Sequence, residues 1–123
     1  MAITGTHTLL YSSEPEQLRV VLRDVLGFKG SDIGHGWIIF ALPPSEIAVH
    51  PADEAAETPG VQHQFTLMCD HLHDTILDLK AHGIEVMNAP QEERWGTHVT
   101  LNLPGNCQVM LYEPKHPIAA GRL

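Results

Sequence analysis

Histidine is the residue type that stands out, with nine in 123 residues. Imidazole exchanges protons near neutrality, so these side chains set both the charge and the acid-base chemistry open to the chain. Two of them, His7 and His63, each open an apolar segment and lie 56 positions apart. Trp37 and Trp95 can stack on a planar ligand or fill core space. The Ser12-Ser13 pair fits helix capping better than nucleophilic attack, because no Ser-His-acid arrangement accompanies it. Cys69 and Cys107 lack an activating partner and a CxxC spacing, and read as small apolar residues. His35, His71, His73, His82 and His116 fall on helix or loop positions and are expected mostly in solvent. His50 beside Pro51 and Glu113 before Pro114 stand at strand ends.

The elements that must position these groups repeat. At an offset of 56, His7-Thr-Leu-Leu-Tyr11 meets His63-Gln-Phe-Thr-Leu67 and Gly27-Phe28 meets Gly83-Ile84. Thr6 to Ser12 has strand composition. Ser13-Glu14-Pro15-Glu16 then reads as a capping box with proline near the first helical position. Leu18, Val21, Leu22 and Val25 form a helical stripe that Gly27 should end, which predicts a helix over 14–26. In the second copy Asp70 is the candidate cap, Leu72, Ile76 and Leu79 form the stripe and Gly83 the stop, predicting a helix over 71–82. Strands are expected over 37–41, 46–50, 98–102 and 108–112, with Leu-Pro turns at 42–45 and 103–106. The acidic, Ala- and Pro-rich stretch 51–60 is the connector between a first unit, about 1–50, and a second, about 61–117, within one domain spanning 1–123.

Composition narrows the partners. Seven Lys and Arg face fifteen Asp and Glu, giving a formal charge of −8, and no basic cluster is present to follow a phosphate backbone. A nucleic-acid partner is not expected. No apolar run reaches the roughly 20 residues of a membrane helix, and the opening lacks the n- and h-regions of a secretory signal. A cytoplasmic protein is the expectation.

A duplicated βαβββ unit with a histidine opening each copy resembles the vicinal oxygen chelate superfamily, which includes the glyoxalase, bleomycin-resistance and extradiol dioxygenase groups. Asp70, Trp95-Gly96 and the ending Leu111-Tyr112-Glu113-Pro114-Lys115-His116-Pro117 add to the likeness, which covers nearly the whole chain. The resemblance implies an α+β fold whose two modules form a curved mixed-sheet cup around a cavity. Alternation along strands then sends Gln108, Met110 and Tyr112, His98, Thr100 and Asn102, and Glu46, Ala48 and His50 to the cavity. His7, Leu9 and Tyr11 share a face, as do His63, Phe65 and Leu67.

Metal-dependent relatives hold a divalent ion, such as Zn, Ni, Fe or Mn, with two His and two carboxylates. His7 and His63 match the histidines, but the carboxylate positions fall at Ala48 and Met110. A two-residue slip brings in His50, and a bulge brings in Glu113. The resemblance leaves two functions open. One is a small-molecule-binding protein using Trp37, His50, Phe65, His98, Met110 and Tyr112. The other is a metal-dependent lyase, isomerase or dioxygenase using His7, His63 and Glu113. A regulatory module is a third, with no residue speaking for it. Relatives of this length commonly pair, which implies a homodimer.

Overall fold

A computed structural model describes residues 7–32, 34, 38–45, 48 and 64–117. It has an α+β architecture whose main sheet is mixed. The first helix, α1, spans Pro15–Val20 and widens into a π-helical stretch over Val21–Val25. Gly27 ends it at φ +78°, with the Phe28 N–H returning to the Leu22 carbonyl at 2.9 Å. The stripe is as expected: Leu18 is buried, and Val21, Leu22 and Val25 pack against the same core. The capping box is not formed. The N-cap is Glu14, and the Ser12 hydroxyl, not Ser13, receives the Glu14 N–H at 3.0 Å. A short antiparallel hairpin follows, β1 Gly30–Asp32 and β2 Ile38–Phe40.

Residues 64–117 carry most of the core found among the described residues. Strand β3 spans Thr66–Met68 and helix α2 spans Leu72–Ala81. Then come β4 Glu85–Val86, β5 Gln91–Glu92, β6 Gly96–Leu103 and β7 Cys107–Pro114. β3 runs parallel to β7, and β6 runs antiparallel to β7, β4 and β5. β4 and β5 are two pieces of one edge strand. The Asn88 side-chain oxygen accepts the Thr100 N–H at 2.8 Å across the break, so the ladder donor is satisfied where the edge strand leaves register. One parallel pair in an otherwise antiparallel sheet is not a doubly wound arrangement.

Alternation along β6 and β7 is complete. Val99, Leu101, Leu103, Cys107, Val109 and Leu111 are buried, and they join Leu72, Ile76 and Leu79 of α2 in one cluster. α2 ends in a Schellman motif, with Gly83 at φ +82° and Ile84 N–H on the Leu79 carbonyl at 3.0 Å. Its start differs from expectation. Asp70 is not the cap: the N-cap is His71, whose side chain caps nothing.

The segment that launches α1 clasps the β6–β7 turn. Ser12 Oγ donates to the Pro104 carbonyl at 2.7 Å, and the Gly105 N–H donates to Glu14 Oε2 at 3.0 Å. Gly105 sits at φ +82°, and a Cβ there would meet the Glu14 and Ser13 nitrogens at 2.6 and 2.7 Å. Only glycine permits that approach.

Two expected strands need correction or fall outside. Residues 7–12 join no ladder among the described residues, and Leu9 and Tyr11 are exposed. Of the strand expected over 46–50, only position 48 is described. No described helix is long and apolar enough to cross a membrane.

Candidate functional site

The main sheet has one face on α2, and the opposite face, called the open face below, carries none of the buried core residues described. Leu67 is in register with Leu111, and both belong with the helix-side core, so Thr66 and Met68 share the opposite face with Met110 and Tyr112. The same alternation on β6 puts His98, Thr100 and Asn102 on that open face, with His98 directly opposite Tyr112 and Thr100 opposite Met110. The β7 and β6 expectations therefore match. At β3 the expectation for Phe65 is corrected: it shares the side of Leu67 and packs against the helix-side core. The cause is register, because parallel pairing with β7 aligns the odd positions of both strands.

An aromatic corner closes one end of the open face. Trp95 stacks on His98 with centroids 5.0 Å apart and planes at 17°, and meets Tyr112 edge-on at 5.5 Å. The turn carrying Trp95 is held by its backbone, with Glu93 N–H on the Gly96 carbonyl at 2.8 Å and Lys115 N–H on the Trp95 carbonyl at 2.9 Å. Gly96 is buried, and a Cβ there would lie 2.6 Å from the Glu113 carbonyl. A side chain at 96 would push the corner off β7.

Polar groups fix the two imidazoles. His98 Nε2 lies 3.0 Å from Glu93 Oε2, and the His98 side chain is only 12% exposed. A carboxylate accepts, so Nε2 carries the proton in the neutral ring. His116 Nδ1 faces the Pro117 carbonyl at 2.8 Å and must donate. Its Nε2 therefore accepts the Tyr112 hydroxyl at 3.1 Å. Gln64 reaches toward the Met110 sulfur at 3.8 Å. Glu93 and His116 were missed in the sequence reading. His116, expected in solvent, is half-buried.

Glu113 points the other way. The β6–β7 ladder runs without a bulge through Thr97–Glu113, so Glu113 stays on the helix side with Val109 and Leu111. There its Oε1 accepts the Leu72 N–H at 2.8 Å. An anion at the start of α2 satisfies a helix N–H that no capping side chain serves and complements the helix dipole.

His7 is exposed. Trp37, His50 and His63 lie outside the described residues. Among the described residues no three His, Cys, Asp or Glu side chains are grouped to hold a metal ion. The donor set near β7 does not suit one either, since Met110 offers a thioether to a hard cation and Glu113 is engaged at α2. Both cysteines are structural: burial pushes the Cys69 and Cys107 thiols up in pKa, away from the reactive thiolate.

Comparison with known proteins bears on this geometry. The family model described as "Glyoxalase/Bleomycin resistance protein/Dioxygenase superfamily" matches residues 6–116. No curated protein matches. Among solved structures, an antibiotic binding protein, TnmS3, from Streptomyces sp. CB03234 superposes with a TM-score of 0.66 at 19% identity. That alignment covers 94% of this chain and 99% of the other. Lactoylglutathione lyase from Agrobacterium tumefaciens gives 0.62 at 18% identity, covering 89% and 92%. A superfamily member from Sphaerobacter thermophilus gives 0.60 at 17%, covering 90% and 98%. At these identities the structures share the fold with this chain.

Proposed function

We propose, from the premise that this chain belongs to the glyoxalase/bleomycin resistance protein/dioxygenase superfamily, that it binds a small, partly aromatic molecule on the open face of its main sheet without a metal. The observation that carries this reading is the aromatic corner of Trp95, His98 and Tyr112 beside the thioethers Met68 and Met110. Aromatic faces and polarisable sulfur suit a planar guest, and the few polar groups among them would orient it. The antibiotic-binding character of one fold neighbour is consistent with such a role.

The metal-dependent alternative needs carboxylates at positions where this chain has Ala48 and Met110. Its remaining candidates are His7, His63, His50 and Glu113. Mapping by methyl NMR on chelator-treated protein separates the readings, with 2,6-dihydroxynaphthalene as the probe. The ε-methyl signals of Met68 and Met110 should shift on addition, while those of Val99 and Leu101 stay in place. Shifts that appear only after a divalent ion is added back would favour the enzyme.

The functional unit in this proposal is a homodimer in the cytoplasm. Leu9 and Tyr11 are 63% and 86% exposed on a segment that pairs with no strand among the described residues. Such exposed apolar groups are a surface that a second copy would cover. Sedimentation at tens of micromolar, an order-of-magnitude choice for assembly work, should give the dimer mass. A monomer at that concentration would contradict it.

A further inference from the structure

We infer that the ligand of this face, on the reading just proposed, is a planar hydrogen-bond donor, such as a phenol or aromatic amine, and not a carboxylate-bearing conjugate. The inference starts from an imbalance. Among the described residues, two buried side-chain polar atoms lack a hydrogen-bond partner, His98 Nδ1 and Asn102 Oδ1. Both stand on the open face of β6, and both are acceptors.

Their roles follow from the carboxylates beside them. Glu93 takes the His98 Nε2 proton at 3.0 Å, so the neutral ring is left with a lone pair on Nδ1. Glu85 Oε1 takes the Asn102 Nδ2 proton at 3.1 Å. Turning that amide over would put oxygen against carboxylate oxygen, so Oδ1 is the atom left over. A buried acceptor without a partner carries an unrecovered desolvation cost, which a bound N–H or O–H would remove.

At the corner itself the polar hydrogens face acceptors already present. The Tyr112 hydroxyl proton is committed to His116, whose other nitrogen must donate to the Pro117 carbonyl. Glu85 and Glu93 stand behind the two open acceptors, and the whole chain is acidic at −8. An incoming carboxylate would meet lone pairs and negative charge together. The Trp95–His98 stack supplies the planar selection: a flat ring can replace or extend it beside Nδ1.

Three naphthalenes of one shape test this by titration calorimetry near pH 8, above the ordinary imidazole range. They are 2,6-dihydroxynaphthalene, 2,6-dimethoxynaphthalene and naphthalene-2,6-dicarboxylate. The diol should bind about tenfold tighter than the dimethyl ether, the factor of about 1.4 kcal/mol, and the dicarboxylate weakest of the three. His98→Phe, which keeps a ring against Trp95 and removes Nδ1, should lower the diol's advantage over the ether, and an advantage as large as the parent's would overturn the role of Nδ1. Equal binding of diol and ether, with Met68 and Met110 methyls still responding, would overturn the donor inference while the binding face stands. Tighter binding of the dicarboxylate would overturn it as well. Failure of all three to shift those methyls would remove the inference and the binding face together.

Discussion

Leu101→Ala is expected to destabilise the fold by about 3 kcal/mol, within the range of large-to-small changes in tight cores. Leu101 is 0% exposed in the middle of β6, between β7 and the β4 edge, and faces the cluster that includes Leu72, Ile76 and Leu79 of α2. The sheet is hydrogen-bonded on both sides of it, so the backbone cannot collapse into the space left behind. In a chain of this size the loss corresponds to a melting temperature lower by about 10 °C. Leu77→Ala is the control. Leu77 lies on the outer side of α2 at 56% exposure, and its truncation should cost under about 0.5 kcal/mol. Urea titrations that give the two variants the same midpoint would show that the sheet does not pack on α2 as described.

Trp95→Ala should weaken binding of 2,6-dihydroxynaphthalene by about tenfold to a hundredfold, or about 1.4 to 2.8 kcal/mol. The indole supplies stacking area and a quadrupole next to His98, and ring pairs contribute about 0.5–1.5 kcal/mol beyond simple burial. Stability should change far less than for Leu101→Ala. Trp95 is 40% exposed, and its turn is held by main-chain bonds that alanine keeps. Trp95→Phe should recover most of the affinity. A Trp95→Ala protein that binds the probe as the parent does would move the site away from the corner.

How much of this was legible beforehand differs by element. The helices, their glycine stops and the burial pattern of β6 and β7 follow from periodicity, because a helix packed on one face of a sheet imposes both repeats on the sequence. Caps were less legible. At α1 the serving group is local but one residue off the expected box, Ser12, whereas at α2 it comes from elsewhere in the fold, Glu113 of β7. No local motif encodes a bond between residues 41 positions apart.

The same limit applies to the site. Alternation put His98, Met110 and Tyr112 on the side away from the helices, and the β6–β7 register has them on one such face. Phe65 went to the wrong face because the choice depends on strand register with β7, which a three-residue strand does not reveal. Glu93 and His116 contribute through a turn and a chain end that tertiary contacts bring to the corner. Sequence offered two faint signs, the five-residue spacing of Glu93 and His98 and the four-residue spacing of Tyr112 and His116.

The central claim is that this face binds its ligand without a metal, and metal retention tests it most directly. Protein made without a histidine tag, dialysed against a chelator and then exposed to Zn, Ni, Fe or Mn, should retain no stoichiometric ion after a second dialysis and should still bind the naphthalene diol. His7→Ala should change neither result. Glu113→Ala should loosen the start of α2 by about 1 kcal/mol, as loss of a cap does, with metal content unaltered. A divalent ion held tightly by each chain through chelator dialysis, and lost in the His7→Ala variant, would contradict the account and put the metal-dependent enzyme in its place.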